Sequence, residues 1–344
     1  MKESYLYQKL DAKKVRCQTC AHNCLILPGK RGICGVRENI DGKLYSLVYG
    51  KAIAEHLDPI EKKPFFHFLP GTYSLSVATI GCNLNCGNCQ NWDISQASKD
   101  PKITSQQIEQ MGFNLPPEKI VQDALSQKAP SISYTYTEPT IFLEYALDTM
   151  KLAKEKGLKN CWITNGFMSE KTLKLIAPYL DAANVDLKSF DDEFYRKNCG
   201  ARLQPILDSL KLMKKVNIWV EVTTLVIPTL SDSEKIFKKI AEFIYNELGA
   251  ETPWHVTQFS GVISYKLQHL PETPLKTLEK ACQIGLDEGL KYVYSGNVPG
   301  LASEDTYCPK CRTKNIDRHG YQIERYDKNG KCYKCGEDLN LIFY

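Results

Sequence analysis

The stretch SLSVATIGCNLNCGNCQNW, residues 74–92, joins an apolar strand pattern to a loop with three cysteines. These are Cys82, Cys86 and Cys89, in the spacing CX3CX2C. A structural zinc site takes four protein ligands, so a histidine would have to complete a zinc site here. Three thiolates suit a [4Fe–4S] cluster that leaves one iron open to a ligand from outside the protein. The stretch therefore predicts a reactive iron–sulfur site at the carboxyl end of a strand.

Short β-rich runs recur through the rest of the chain at intervals of roughly 30 residues. They lie near 74–80, 131–137, 160–164, 182–187, 217–226, 254–259 and 290–294. Helical patterns lie between most of them, as at 274–288, where Thr273 is the predicted N-cap. This alternation predicts βα units with a parallel sheet, and six or seven units favour an open or partial barrel over a complete one.

Polar residues stand where these strands are predicted to end. Glu138 follows the second run, Asn165 follows the third, and Asp186 and Lys188 follow the fourth. In a parallel α/β fold the carboxyl ends of the strands share one rim, where reactive groups collect. The sequence therefore predicts an active-site mouth in which these four residues lie near the Cys82 loop.

The composition is that of an ordinary globular chain with many cysteines. The 344 residues carry a net charge of +4 and 14 cysteines. No apolar run approaches the ~20 residues of a membrane span, and the N-terminus lacks the apolar segment of a signal peptide, so a cytoplasmic location is expected. The 44 basic and 40 acidic residues are spread along the chain, which gives no basis for nucleic-acid binding. Closely spaced cysteines in the cytosol bind metal more often than they form disulfides.

The cysteine pattern and the strand pattern together divide the chain into four parts. These are an N-terminal cysteine-rich metal-binding module at 1–50, a connector at 51–73, a partial barrel at 74–300 and a zinc-ribbon-like module at 301–344. In the connector, Lys62, Lys63 and His67 can meet an acidic substrate or a partner protein. The preferred interpretation is an irregular segment whose phenylalanines pack on the barrel.

The C-terminal cysteines have the spacing CX2CX20CX2C. They are Cys308, Cys311, Cys332 and Cys335. Two CX2C turns brought together give a tetrahedron of thiolates, which is the pattern of a structural zinc ribbon. A further iron–sulfur cluster is the alternative.

The N-terminal cysteines also offer four thiolates. They are Cys17, Cys20, Cys24 and Cys34. Structural zinc is the preferred expectation, and a second [4Fe–4S] cluster that relays electrons or binds substrate is the alternative. His22 is interpreted as a loop residue rather than a ligand.

Three cysteines stand apart from these groups, in apolar or helical surroundings. They are Cys161, Cys199 and Cys282. We expect them to pack as small buried hydrophobic residues rather than to take part in chemistry.

Several motifs together carry a family resemblance. GCNLNCGNCQNWDIS, SYTYTEPT, the DLK after the fourth run, DPIEKKPFFHFLPG and GNVPG…TYCPKC resemble the radical S-adenosylmethionine (SAM) enzymes of the pyruvate formate-lyase activating enzyme-related branch. The likeness is greatest to the radical SAM component of the AmmeMemoRadiSam system, and it covers nearly the whole chain. It implies an α/β fold with a partial (β/α)6-type TIM barrel as the radical SAM core.

The resemblance also implies roles for individual residues. Glu138 lies where a Gly-Gly-Glu-type motif meets the amino group of SAM, and Asn165 and the Asp186/Lys188 pair are placed to contact the SAM ribose or carboxylate. One position departs from the pattern, because many radical SAM loops carry an aromatic residue before the last cysteine and this chain has Asn88. The hypothesis for this chain is that Trp92 supplies the aromatic face instead.

The function implied by the resemblance is reductive cleavage of SAM at a [4Fe–4S] cluster. The resulting 5′-deoxyadenosyl radical would remove a hydrogen atom from a substrate, which in the activating-enzyme branch is a protein, and a reducing electron donor would be required. A peptide or a small molecule is the alternative substrate. The rival hypothesis from another class is a non-catalytic iron–sulfur and zinc scaffold or electron-transfer partner.

Overall fold

A single sheet of eight strands organises residues 1–343, the part of the chain that the computed structural model describes. The strands are β1 (Ala54–Pro59), β2 (Tyr73–Ala78), β3 (Ser131–Tyr134), β4 (Lys159–Thr164), β5 (Ala182–Asp186), β6 (Trp219–Val226), β7 (Trp254–Gln258) and β8 (Val293–Gly296). They lie side by side in chain order. From β2 to β8 every neighbouring pair is parallel, and β1 pairs antiparallel with β2.

A helix follows each parallel strand up to β7. These crossover helices are α1 (Pro117–Ser126), α2 (Leu143–Glu155), α3 (Glu170–Ile176), α4 (Gln204–Lys215), α5 (Glu234–Phe243) and α6 (Leu275–Asp287). Parallel strands covered by helices are buried on both faces, and all four residues of β3 are buried. Strands in chain order with a helix after each are the βα units that the sequence predicts, and the parallel sheet is confirmed.

The connector predicted to be irregular contributes a strand to this sheet. Residues 54–59 form β1, whose six residues pair with β2. The alternation of apolar and polar residues in this segment is short and ends at the charged run that follows it. For that reason the strand was not predicted from the sequence. The packing interpretation holds for the phenylalanines, because Phe65, Phe66 and Phe68 are all buried.

A buried carboxylate fastens the phenylalanine segment to the sheet. Glu221 of β6 accepts hydrogen bonds from the backbone N–H groups of Phe66, His67 and Phe68 at 2.9, 3.0 and 3.1 Å. Its second partner group is the His255 ring, whose Nε2 lies 2.7 Å from Oε2. His67 is fully buried, so it packs inside the protein and does not face a substrate.

Small antiparallel sheets form the two ends of the chain. The N-terminal strands are Lys2–Glu3, Tyr7–Lys9, Val15–Cys17, Leu25–Ile26, Arg37–Ile40 and Lys43–Ser46. The C-terminal strands are Thr306–Tyr307, Lys314–His319 and Gln322–Arg325. Short elements elsewhere comprise a strand pair of Lys51–Ala52 with Phe113–Asn114, and the helices Trp92–Gln96, Ser105–Gln110 and Asp192–Phe194.

Each end module is held to the sheet domain by a buried arginine. Arg37 pairs with Glu144 of α2, with Nη2 2.7 Å from Oε2, and both side chains are buried. Arg318 donates to the backbone carbonyl of Phe66 at 3.0 Å. Carboxylate or carbonyl acceptors for the terminal nitrogens offset part of the cost of burying these guanidinium groups. No helix within residues 1–343 combines the length and the apolar character needed to cross a membrane.

The carboxylate of Glu221 yields a stability prediction. Glu221→Gln should lower the free energy of unfolding by about 1–3 kcal/mol, because an amide NH2 replaces one acceptor oxygen and leaves a buried N–H group without an acceptor. Urea denaturation followed by circular dichroism measures the change. Glu193→Gln, which alters an exposed ion pair with Lys197, is the matched control and should leave the midpoint nearly unchanged. Equal effects of the two substitutions would contradict this role for Glu221.

Candidate active site

The carboxyl ends of the parallel strands surround one cavity of about 790 Å³. Every parallel strand contributes to its wall, through residues within the strand or just beyond it. Representatives from β2 to β8 in turn are Cys82, Thr135, Asn165, Asp186, Leu225, Gln258 and Asn297. A wall drawn from all seven strands requires the sheet to curve around the cavity. The volume is in the range of pockets that enclose a cofactor or substrate.

The cysteine loop after β2 forms one side of the cavity. Cys82, Cys86 and Cys89 all line it. The backbone N–H of Leu84 donates to Sγ of Cys82 at 3.4 Å, and the hydroxyl of Ser95 lies 3.3 Å from Sγ of Cys89. Burial raises the pKa of the Cys82 thiol, so a bound metal is what would favour its thiolate. The three sulfurs therefore border a cavity that is large enough to hold a ligand beside them.

Two hydrogen bonds hold the cysteine loop against the end of β3. The hydroxyl of Thr137 donates to the carbonyl of Thr79 at 2.8 Å. The side-chain amide of Asn91 donates to the carbonyl of Tyr136 at 2.8 Å. The ends of the loop are thus fixed on both sides of the three cysteines, which limits how far the sulfurs can move.

Glu138 joins the ends of β3 and β4. One carboxylate oxygen accepts from the backbone N–H of Thr140 at 3.0 Å and from the hydroxyls of Thr140 and Thr164 at 2.5 and 2.8 Å. The other oxygen accepts from the backbone N–H of Asn165 at 2.8 Å. Burial nevertheless raises the pKa of this carboxyl. The side chain therefore both lines the cavity and fixes two strand ends.

Asn165 is committed to the cysteine loop. Its amide nitrogen donates to Oδ1 of Asn83 at 2.8 Å and approaches Sγ of Cys82 at 3.8 Å, and its Oδ1 accepts from the backbone N–H of Phe167 at 2.9 Å. Although Asn165 lines the cavity as predicted, both polar atoms of its side chain are already engaged.

Asp186 and Lys188 form an ion pair in the cavity wall. The Nζ of Lys188 lies 2.7 Å from Oδ2 of Asp186, and the lysine is the more deeply buried partner. Although burial by itself lowers the pKa of Lys188, the adjacent Asp186 carboxylate raises it well above the ordinary value. A cation is thus held in the cavity wall beyond the end of β5.

A fourth thiol, which the sequence did not predict here, lies next to the loop. Cys199 is buried, and its thiol lies against that of Cys86. The backbone N–H of Asn85 also donates to the carbonyl of Cys199 at 2.9 Å. The separation of 113 residues between Cys86 and Cys199 left no spacing signal, so only the folded chain places Cys199 here.

A cluster of connector residues also reaches the cavity. His56, Lys62 and Lys63 line it. From the sequence, contact of the two lysines with a substrate or partner was the less favoured interpretation. Lys62 and Lys63 share the carboxylate of Asp58, at 2.8 and 2.6 Å. Burial lowers the pKa of Lys63 to about 8. The hydroxyl of Tyr136 donates to the same carboxylate.

The structure places Asn88 rather than Trp92 in the cavity wall. Oδ1 of Asn88 accepts from the side-chain amide of Asn198 at 2.9 Å. Trp92 stacks instead on Tyr265, with ring centroids 5.4 Å apart and an interplanar angle of 18°, and is 44% exposed. These contacts place the Trp92 ring on the outer surface beside Tyr265.

The two terminal cysteine groups differ in geometry. The C-terminal sulfurs all lie within 4.8 Å of one another, with the pairs Cys308–Cys335 and Cys311–Cys332 each at 3.6 Å. The N-terminal cysteines line a small separate cavity of about 10 Å³ together with His22 and Arg37. In each terminal module, the four cysteines that are close in the sequence pattern are therefore also close in space.

Comparison with known proteins assigns the family. The Radical SAM superfamily model matches residues 76–244. An uncharacterized protein of Methanocaldococcus jannaschii is 44% identical over 345 residues, which cover 99% of this chain and 100% of the relative. The pyruvate formate-lyase-activating enzyme of Clostridium pasteurianum is 24% identical over 179 residues, or 51% of this chain and 72% of that enzyme.

A solved structure supports the same fold. The crystal structure of Streptococcus suis SuiB bound to the precursor peptide SuiA aligns with 69% of this chain and 51% of its own chain, at 15% identity and a TM-score of 0.51. The family match begins within β2 and includes the cysteine loop, Glu138, Asn165 and the Asp186/Lys188 pair. On these grounds the chain belongs to the radical SAM superfamily.

Proposed function

We propose that this chain cleaves SAM reductively and uses the resulting radical to remove a hydrogen atom from a protein. The observation that carries the proposal is the set of three thiols in one cavity whose wall is drawn from all seven parallel strands. Cys82, Cys86 and Cys89 would hold a [4Fe–4S] cluster, and the cavity of about 790 Å³ has room for a nucleoside beside it. When bound, the cluster supplies the electron that cleaves the sulfonium of SAM to methionine and a 5′-deoxyadenosyl radical.

Glu138 and Lys188 are the polar groups that we assign to the amino-acid end of SAM. The Oε2 atom of Glu138 accepts from Asn165 and has capacity for another donor, which the SAM ammonium group can supply. Lys188 offers a cation for the SAM carboxylate. Its partner Asp186 is 36% exposed at the side chain and can accept from a ribose hydroxyl.

Asn165 has a positioning role in this proposal. Its side-chain amide is already shared between Asn83 and the sulfur of Cys82. A hydrogen bond to a thiolate stabilises its negative charge and fixes its direction, as outer groups do at metal sites. Asn165 therefore supports the cysteine loop rather than binding the ribose itself.

The mouth of the cavity suits a protein or peptide substrate. Ile263 lines the cavity and is 50% exposed, and the adjacent Val262 is 85% exposed. Exposed apolar residues beside a polar cavity are typical of surfaces that bind another chain. The relative from Clostridium pasteurianum is named as an activator of pyruvate formate-lyase, and the SuiB structure holds a precursor peptide, which supports the same substrate class.

We also propose that the C-terminal cysteines hold structural zinc. Zinc–thiolate bonds of about 2.3 Å in a tetrahedron put the sulfurs about 3.8 Å apart. The 3.6 Å separations of Cys308 from Cys335 and of Cys311 from Cys332 fit that geometry. Folding of the C-terminal module would then depend on the bound metal.

Loss of one loop cysteine tests the SAM chemistry. In anaerobic, reconstituted protein with dithionite, Cys86→Ala should lower the formation of 5′-deoxyadenosine by at least about 100-fold, because the cluster loses a ligand. Cys282→Ala, at a buried cysteine of α6, is the control and should retain cleavage. Wild-type protein that holds an intact cluster but leaves SAM uncleaved would favour the non-catalytic scaffold.

The substrate class has its own test. Extract from cells grown in deuterated medium is separated into protein and small-molecule fractions, and each is incubated with the unlabelled enzyme, SAM and reductant. Deuterium should appear in 5′-deoxyadenosine with the protein fraction, because the radical takes hydrogen from its substrate. Deuterium that appears only with the small-molecule fraction would refute a protein substrate.

Zinc content tests the C-terminal assignment. Cys332→Ser should remove about one zinc per chain and expose the region after residue 300 to proteolysis, since a site with three thiolates binds zinc less tightly. Cys161→Ser is the matched control, because Cys161 is buried within the main sheet. An unchanged zinc count in Cys332→Ser, measured by plasma mass spectrometry, would contradict the assignment.

A further inference from the structure

The N-terminal cysteines surround a small cavity that is separate from the active-site cavity. Cys17, Cys20, Cys24 and Cys34 all line it, and its volume of about 10 Å³ is room for about one water-sized sphere. Cys17 and Cys34 are buried, and Ile26 and Ile141 supply apolar parts of the wall. Four thiols thus line one common space rather than meeting at a point.

This geometry differs from that expected of tetrahedral zinc. Around zinc, sulfurs lie about 2.3 Å from the centre and about 3.8 Å from each other, which leaves no room for a water-sized sphere between them. The C-terminal sulfurs of this same chain have that close spacing, at 3.6 Å between Cys308 and Cys335 and between Cys311 and Cys332. An iron–sulfur core holds its thiolates further apart, because iron and sulfide atoms lie between them.

A buried donor without a partner also belongs to this cavity. Arg37 lines it, its side chain is 2% exposed, and its Nε has no acceptor among residues 1–343. The two terminal nitrogens of the same guanidinium are engaged by Glu144. A buried N–H without an acceptor costs about 1–3 kcal/mol, and the sulfur atoms of a bound cluster would supply the acceptor. The positive charge would also offset part of the negative charge of four thiolates.

The N-terminal cavity adjoins the cysteine loop of the active site. Nε2 of His22 lies 2.8 Å from the carbonyl of Asn83, the residue after Cys82. The hydroxyl of Ser98 donates to the carbonyl of Cys34 at 2.9 Å. Gly35 approaches the backbone of Ser98 so closely that a Cβ there would lie 2.3 Å from its carbonyl oxygen. The N-terminal cysteine segment is therefore in direct contact both with the active-site cysteine loop and with the helical turn that follows it.

We propose that Cys17, Cys20, Cys24 and Cys34 bind a second [4Fe–4S] cluster that passes electrons to the active-site cluster. The site stands on its own geometry, and the electron-transfer role rests on the proposed function. In that step the N-terminal cluster is oxidised by one electron and the active-site cluster is reduced by one. A low-potential, one-electron protein donor restores the reduced state, and no bond forms or breaks in the protein. This proposal adopts the alternative that the sequence left open, a second [4Fe–4S] cluster, in place of the preferred structural zinc.

Metal analysis of the full chain decides the content of the site. Protein purified and reconstituted without oxygen should contain about eight iron and one zinc per chain. Cys20→Ser should lose about four iron and keep its zinc, and Cys282→Ser, the control, should keep all eight. About four iron and two zinc in the wild-type protein would overturn the proposal, whatever the variants do.

Electron paramagnetic resonance tests the link between the two sites. In fully reduced wild-type protein, spin–spin interaction should broaden the signal, and Cys20→Ser should show the narrower signal of one isolated cluster. Two independent signals in the wild-type protein would overturn the electron-transfer role. These readouts are separate from SAM cleavage, since eight iron without cleavage contradicts only the proposed function, and cleavage with four iron and two zinc contradicts only this inference.

Discussion

The carboxyl ends of seven neighbouring parallel strands meet at one rim, and the other features of the active site depend on that convergence. A single buried carboxylate, Glu138, makes the rim rigid where β3 and β4 end, since its two oxygens accept four hydrogen bonds from both strand ends. Asn165 then extends the same network to the sulfur of Cys82. The position of the cysteine loop is therefore fixed by the sheet and not by the loop alone.

A buried carboxylate with several hydrogen bonds also lies towards the opposite end of the sheet. Glu221 accepts hydrogen bonds from three consecutive backbone N–H groups, so the phenylalanine segment is attached to the sheet through its main chain. The phenylalanine rings of this segment are buried. A buried carboxylate that is fully hydrogen-bonded fixes one arrangement, because any other leaves donors or a charge without partners. One end of the sheet is thus covered by this segment, and the other end borders the cavity.

The sequence predicted those features whose signals are local. The strand ends, the CX3CX2C loop and the terminal cysteine groups were all visible as spacings, and the structure brings Glu138, Asn165, Asp186 and Lys188 to one cavity. Tertiary contacts were not visible. Thr273, the predicted N-cap of 274–288, instead donates to the carbonyl of Val226 and accepts from the backbone N–H of Phe259, and α6 begins two residues later.

The C-terminal module reaches further than its position in the chain suggests. Tyr321, at the turn between two of its strands, lines the active-site cavity although it lies more than 200 residues after the cysteine loop. The strands of this module form a sheet of their own, so its turn can change without altering the strand pairing of the main sheet. Substitutions in this hairpin would therefore alter the wall of the cavity while the strand ends and the cysteine loop keep their positions.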